Sequence, residues 1–406
     1  MSSGSSRGRH PSRTMVTGPL AAYADGFRED LAGQGYSEDQ VRGYSKLAAC
    51  LSRWLDGRGL AAGDLAGEAA GMFLRARREE GHRELTSDRA LAPLLGYLRR
   101  MGVVAERADA SPAGVLLEEF RRHLRDERGL APASIQRYLY HARLFVAWLP
   151  APADAALAAL SAGQVTGYVV AEAARGAWHA NSTVTALRSL LRFLHQAGYV
   201  PRPLAEAVPR ARGHKSRGLV RAADAGQITA VLAACDTDSA AGRRDYAIIM
   251  VMARLGLRAC EVAAAELGDI GWRHGTLTVR GKGGRQDVLP LQPDVGEALA
   301  GYLRHGRPRT ASRRVFVTVL APFRGLEADA VPEIVARACA RAGIPRFGSH
   351  RFRHALACDL LASGAPLTEI GQLLRHPSQD TTAIYAKADI GRLAGLAMPC
   401  PQGEAL

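Results

Sequence analysis

The sequence predicts a mainly α-helical protein, with two helical bundles in its N-terminal half and a mixed C-terminal domain that contains a small antiparallel β-sheet. Three observations lead to this fold class. Apolar residues recur in the N-terminal half at the three- and four-residue spacing of amphipathic helices. Two segments of that half resemble each other, and two strand-like runs flank a glycine-rich turn in the C-terminal half. The 406 residues suffice for two or three domains, each with its own core.

Residues 20–104 and 112–200 are predicted to be two copies of one helical domain. A pattern of Phe, Leu, Gly, Tyr and Trp-Leu in the first segment returns 93 residues later, or 94 after a one-residue insertion. A register held over this length indicates a duplication. Each copy is predicted to form four short helices. Unrelated amphipathic helices that share Leu and Tyr spacing are the alternative.

The composition indicates a polyanionic partner and argues against a zinc site and a disulfide framework. The net charge is +14, for which nucleic acid is the first candidate. The six cysteines are scattered without a Cys-x-x-Cys pair, which argues against a zinc site and a disulfide framework. The chain has no apolar run of about 18 residues and no apolar signal core at its start. We expect a cytoplasmic, nucleoid-associated protein with no membrane segment, metal or cofactor.

Two basic segments lie outside the predicted domains. Residues 1–19 are expected to form a disordered tail, and residues 201–222, which contain several prolines and glycines, a linker that does not fold alone. The cations of this linker suit a strap along a phosphate backbone, and a plain solvated linker is the alternative. The linker candidates for phosphate contact are Arg210, Arg212, Lys215 and Arg217.

The C-terminal half contains five short motifs that together hold the residue types needed to break and rejoin a phosphodiester without a metal ion. A tyrosine can attack phosphorus covalently, and cations can hold the negative charge of the transition state. An arginine can direct two donors to one phosphate. In chain order the motifs are Gly256-Leu-Arg258-x-x-Glu261, Gly281-Lys282-Gly-Gly, His350-x-x-Arg353-His354, Leu374-Arg-His376 and Thr381-Thr-x-x-Tyr385.

The first two motifs have a predicted place in the local structure. Gly256 ends a buried helix, and Arg258 begins the next one, where Glu261 can support its guanidinium one turn later. Residues 276–279 and 288–291 are predicted to form a β-hairpin with Lys282 at its tip. Arg285, another basic residue of that turn, is a candidate for DNA contact.

The third and fourth motifs are predicted to lie at helix ends. Ser349 is expected to cap a helix that ends near Ser363, so that His350, Arg353 and His354 share one face of its first turns. Cations and backbone N–H groups at a helix start suit an anion. His376 follows a further short helix.

These five motifs in this order resemble the catalytic domain of the tyrosine recombinases, the phage-integrase class of DNA breaking and rejoining enzymes. The resemblance implies a metal-independent reaction on double-stranded DNA through a 3′-phosphotyrosyl link. It also implies that Lys282 is the general acid that protonates the leaving 5′ oxygen. The catalytic residues it implies are Arg258, Lys282, His350, Arg353, His376 and the nucleophile Tyr385, with Glu261 and His354 in support.

Residues 112–200 resemble the SAM-like core-binding domain of the same family. The resemblance implies a catalytic domain at residues 223–387 and four protomers on two DNA sites. The tail at residues 388–406 could dock on a neighbouring protomer, and a frayed terminus is the alternative. Hetero-oligomers with sister recombinases are an alternative. Residues 20–104 could be an accessory DNA-binding domain or a protein–protein module, since acids offset their arginines. For each arginine of this domain that is expected to be exposed, phosphate contact and a solvated helix face are the two alternatives. The candidates for phosphate contact are Arg137, Arg143, Arg188 and Arg192.

Two positions depart from the family pattern. Arg375 stands where the family usually has glycine, so a non-glycine residue must adopt the turn before His376 or the turn differs. Lys387 stands where histidine is often found. A catalytically silent DNA-binding partner therefore stays open as an alternative, as does a type IB topoisomerase, which uses similar cations and a tyrosine.

Overall fold

The computed structural model describes residues 15–105, 111–209, 222–281 and 285–375. Its contacts divide the chain into two compact units, one within residues 106–217 and the other formed by residues 1–105 together with 218–406. The described residues are mainly α-helical and contain one three-stranded antiparallel sheet. The predicted fold class is therefore confirmed.

Residues 15–105 form four α-helices, as predicted, around one hydrophobic core. Ser37 begins the second helix with a capping box, because its hydroxyl accepts the N–H of Gln40 while the Gln40 side chain accepts the N–H of Ser37. Phe27 and Leu51 are buried in the core. The helices are α1 (Ala24–Gly33), α2 (Glu38–Asp56), α3 (Ala69–Glu79) and α4 (Asp88–Arg100).

Residues 111–209 contain five α-helices rather than the four predicted. The additional helix has six residues, too few to give a periodic apolar pattern. Leu204 and Val208, which the sequence places in the linker, are buried against the core of this unit. The helices are α5 (Pro112–Arg122), α6 (Pro132–Trp148), α7 (Ala153–Ala158), α8 (Ala162–Ala173) and α9 (Ala177–Gln196).

Residues 222–375 contain the remaining described helices and the sheet. The strands are β1 (Ile270–Gly271), β2 (Thr276–Arg280) and β3 (Gln286–Pro290). They are antiparallel in the order β1-β2-β3, and β2 pairs with β3 as the predicted hairpin requires. The helices are α10 (Ala225–Ala233), α11 (Ala240–Leu255), α12 (Ala259–Ala264), α13 (Pro293–His305), α14 (Ala330–Arg341), α15 (His350–Ala362) and α16 (Leu367–Leu373).

Helix α11 is the central element of residues 222–375. It packs against α13, α14 and α15. Its residues Ile248, Ile249 and Met252 are fully buried in the core of this part of the chain. Because it is surrounded by other helices, its C-terminal end is held firmly. That end leads into the turn that carries the first motif.

Two kinds of feature are not found among the described residues. No helix there is long and apolar enough to cross a membrane. In the same ranges, no group of three or more His, Cys, Asp and Glu side chains is arranged to hold a metal ion. The cysteines that the structure describes are all free thiols, namely Cys50, Cys235, Cys260, Cys339 and Cys358.

Candidate active site

The turn after α11 is built around Gly256. Its φ of 61° lies in the left-handed region, which glycine adopts without steric cost. A Cβ at this position would also lie 2.8 Å from Leu374 Cδ2 and 3.1 Å from Leu356 Cδ2. Glycine therefore lets the turn between α11 and α12 approach α15 and the end of α16. Arg258 lies two residues further on, where these elements meet.

Arg258 and Glu261 form the ion pair that their spacing predicts. Arg258 Nη1 donates to Glu261 Oε1 at 2.7 Å, and the Arg258 backbone N–H donates to Oε2 at 2.9 Å. The Glu261 side chain is 2% exposed, whereas that of Arg258 is 29% exposed. Burial alone would raise the pKa of Glu261, but the Arg258 N–H and the positive charges of Arg375 and Arg258 bring that pKa below its ordinary value. The carboxylate stays ionised and orients a guanidinium that is partly open to solvent.

Arg353 reaches the same turn from α15. It is 4% exposed, and its Nη1 donates to the carbonyl oxygen of Gly256 at 2.7 Å. This hydrogen bond joins residues 97 positions apart in the chain. The structure thus brings together the two arginines that the sequence assigns to phosphate binding.

His350 and His354 lie on one face of α15, with their ring centroids 6.5 Å apart. Although His350 is exposed, the protein beside it removes part of its hydration, and this desolvation, followed by the positive charges of Arg353 and Arg258, lowers the pKa of His350. Desolvation and the charges of His350 and Arg353 lower the pKa of His354 in the same way. A neutral imidazole at position 350 can both donate and accept a hydrogen bond.

The start of α15 corrects one detail of the prediction. Helix α15 spans His350–Ala362, close to the expected bounds, but the Ser349 side chain makes no capping hydrogen bond. Its backbone is already helical, with φ −53° and ψ −28°, whereas a capping serine needs an extended backbone. The prediction that Ser349 caps the helix is therefore wrong.

Arg375 adds a third guanidinium to this region. It is buried, and its Nη2 donates to Glu261 Oε2 at 2.8 Å. Its φ of 54° shows that this non-glycine residue adopts the left-handed turn. From the sequence, Arg375 was noted only because it stands where the family usually has glycine. Its contact with Glu261 was not predicted.

We call Arg258, Arg353, Arg375 and Glu261 the arginine cluster. Its three guanidinium groups and one carboxylate leave a surplus of two positive charges. The neighbouring His350 does not add a third positive charge at neutral pH, because its pKa is lowered. Such a surplus can bind a phosphodiester and stabilise the negative charge that grows on it during nucleophilic attack.

Several predicted site residues lie outside the described residues, and their roles stay predictions. Two other tyrosines of the C-terminal half are described: Tyr302 is fully buried and its hydroxyl oxygen accepts the N–H of Val317 at 3.2 Å, while Tyr246 packs against the same core. Both are packing residues. The candidates outside the described ranges are Lys282, His376 and Tyr385, and in the linker Arg210, Arg212, Lys215 and Arg217.

The predicted DNA-contacting arginines differ in exposure. Those that are exposed are Arg137 and Arg143 on α6, Arg192 on α9 and Arg285 just before β3. The expectation that Arg188 is exposed is wrong, because it is half-buried and its Nη2 donates to the carbonyl oxygen of Val208 at 2.8 Å. Arg188 holds the segment after α9 against its own domain.

Sequence comparison identifies relatives over nearly the whole chain. Residues 222–392 match the phage integrase family, and residues 117–198 match the N-terminal SAM-like domain of phage integrases. The chain is 41% identical over 396 residues to the integrase/recombinase y4rA of Sinorhizobium fredii, an alignment that covers 96% of each protein.

Solved structures share the fold at low sequence identity. A lambda integrase dimer bound to a COC′ core site is 16% identical with a TM-score of 0.52, covering 71% of this chain and 99% of that one. XerH recombinase bound to a difH substrate after cleavage is 17% identical with a TM-score of 0.53, covering 82% of this chain and 95% of that one. At this identity the likeness concerns the fold alone.

Proposed function

This chain belongs to the phage integrase family, and we propose that it is a site-specific recombinase that cleaves and rejoins double-stranded DNA through a 3′-phosphotyrosyl intermediate. The observation that carries the proposal is the convergence of Arg258 and Arg353, from distant parts of the chain, on the turn at Gly256. Two guanidinium groups at one place form a phosphate clamp.

In the proposed reaction the hydroxyl of Tyr385 loses its proton to the neutral His350 imidazole or to solvent, its oxygen attacks the scissile phosphorus, and the bond from phosphorus to the 5′ oxygen breaks. Lys282 gives a proton to that leaving oxygen. The DNA is then joined to the enzyme through its 3′ phosphate, and one phosphate ester has replaced another. A 5′-hydroxyl later attacks the phosphotyrosine, which rejoins the DNA and releases Tyr385.

The arginine cluster supplies electrostatic stabilisation in this proposal. Arg258 and Arg353 donate to the non-bridging oxygens, where charge increases as the tyrosine attacks. His350, neutral at pH 7 because its pKa is lowered, donates a further hydrogen bond or moves a proton. His376 serves as a second such donor, and His354 supports the turn.

The rest of the chain is proposed to bind the duplex and to assemble recombining protomers. The exposed Arg137, Arg143 and Arg192 contact phosphates without reading sequence. Lambda integrase and XerH were solved on DNA, and one lambda integrase structure is a tetramer on a Holliday junction. By analogy, four protomers of this chain, or protomers mixed with sister recombinases, act on two sites during integration, excision or transposition of a mobile element.

The test is trapping of a covalent adduct on a nicked suicide duplex, which loses a short fragment after cleavage and so cannot be rejoined. The duplex is designed from inverted repeats sought in the DNA that flanks the gene. We expect the wild-type chain to form a protein–DNA adduct that resists boiling in detergent. We expect Tyr385→Phe to form at least about 10³-fold less, because the nucleophile is absent.

Two control substrates separate the alternatives. A scrambled duplex should give no adduct with a site-specific recombinase, whereas a type IB topoisomerase would react with it equally well. Absence of any adduct from the wild-type chain on the repeat-bearing duplex would identify a catalytically silent DNA-binding partner. An undiminished adduct from Tyr385→Phe would contradict the assignment of the nucleophile.

A further inference from the structure

Arg375 has a backbone conformation that residues other than glycine rarely adopt. Among the described non-glycine residues only Leu85 and Arg375 have positive φ, at 52° and 54°. For a residue with a Cβ this left-handed conformation is sterically unfavourable. Leu85 lies in the loop between α3 and α4, whereas Arg375 is 7% exposed and lies two residues after the end of α16. A strained residue that is also buried and charged needs a compensating interaction.

The compensation comes from Glu261. Arg375 Nη2 donates to Glu261 Oε2 at 2.8 Å, and Nη1 donates to the carbonyl oxygen of Leu373 at 3.2 Å. The side chains of Arg375 and Glu261 are 4% and 2% exposed, so their attraction is little screened by water. Glu261 is thereby held by a cation on each side, since Oε1 accepts from Arg258 and Oε2 from Arg375.

We propose that Arg375 is a positioning residue for DNA cleavage, which acts through Glu261 on the guanidinium of Arg258. This inference rests on the proposed function. Arg258 is the partly exposed member of the three linked residues, whereas both terminal nitrogens of Arg375 donate within the protein, Nη2 to Glu261 and Nη1 to the Leu373 carbonyl oxygen. With Arg375 in place, Glu261 stays ionised and has one orientation. Without it, the carboxylate can rotate and take up a proton, and the guanidinium of Arg258 loses its fixed direction.

Three variants separate the side chain of Arg375 from its backbone. Arg375→Gly keeps the turn and relieves the strain, Arg375→Gln keeps length without charge, and Arg375→Lys keeps charge with a single donor group. We expect Arg375→Gly and Arg375→Gln to form the suicide-substrate adduct about 100-fold more slowly, as misorientation of a catalytic group does, with DNA affinity within about threefold of wild type. We expect Arg375→Lys to cleave at roughly a tenth of the wild-type rate, since lysine keeps the positive charge but lacks the planar guanidinium with its several N–H donors.

The pH profile of cleavage provides a readout that a merely structural role would not move. Loss of a neighbouring positive charge raises the pKa of Glu261, so the acid limb of the rate profile should move to higher pH in Arg375→Gln and stay in place in Arg375→Lys. If Arg375→Gly does not fold, as judged by circular dichroism, the comparison of Arg375→Gln with Arg375→Lys tests the inference instead. A wild-type rate in Arg375→Gly, or slow cleavage with an unmoved acid limb in Arg375→Gln, would overturn the inference.

The same assay keeps the two proposals apart. If the wild-type chain forms no adduct on the repeat-bearing duplex, the proposed function fails. If wild type forms an adduct and Tyr385→Phe does not, the function stands, and a full rate in the Arg375 variants rejects only the positioning role.

Discussion

Replacing Arg353 with alanine is expected to slow formation of the covalent adduct by about 10³-fold, the effect of removing a preorganised donor to the transition state. Arg353 is almost fully buried and donates a hydrogen bond to the Gly256 carbonyl oxygen, so its guanidinium is held in a fixed position. The rate should be measured in single turnover on the suicide duplex. Because the loss concerns the transition state, DNA affinity should change much less than the cleavage rate.

Two controls make the Arg353 result specific. Arg353→Lys keeps the charge but not the two-pronged donor group, and should cleave faster than Arg353→Ala yet far more slowly than wild type. Arg346→Ala removes an exposed arginine that pairs with Glu333 at 2.7 Å, and should cleave at the wild-type rate. Equal loss in Arg346→Ala and Arg353→Ala would mean that general charge, rather than this site, drives cleavage.

Replacing Glu261 with glutamine is expected to lower the free energy of unfolding by about 3–5 kcal/mol, the usual cost of removing one partner from a buried ion pair. The variant leaves the guanidinium groups of Arg258 and Arg375 without the carboxylate that each contacts. Urea unfolding at pH 7, followed by circular dichroism, measures the change.

The same variant gives a pH signature. The pKa of Glu261 is lowered in the folded protein from an ordinary value of 4.5, so its stabilising contribution is complete above that value and is lost as pH falls through the folded-state pKa. Wild-type stability should therefore fall more steeply on acidification than that of Glu261→Gln. The matched control is Glu333→Gln, whose ion pair is exposed and should contribute at most about 1 kcal/mol. Similar losses in both variants would contradict the buried role of Glu261.

The features predicted correctly from the sequence are those formed by residues that lie close together in the chain. Arg258 and Glu261 are three residues apart at the start of a helix, so helical geometry alone pairs them. The hairpin of β2 and β3 and the bounds of α15 follow from strand-like runs and glycine positions in the same way. Local rules suffice for such features, because the backbone conformation fixes which side chains meet.

The features that were missed depend on distant parts of the chain. The contact between Arg375 and Glu261 spans 114 residues, and no spacing rule encodes it. Arg188 was expected to be exposed because helical periodicity does not show that the chain after α9 returns to cover it through Val208. Ser349 is the exception, since it has a residue type suited to capping but the backbone before α15 is already helical. Tertiary packing decided the other two cases.

The position of the covalent bond between protein and DNA tests the proposed chemistry most directly. Trypsin digestion of the adduct releases residues 376–387, a peptide in which Tyr385 is the single tyrosine. After nuclease trimming, fragmentation in a mass spectrometer should locate a nucleotide on Tyr385, linked through its 3′ phosphate. A nucleotide on any other residue, or one linked through a 5′ phosphate, would contradict the proposed reaction.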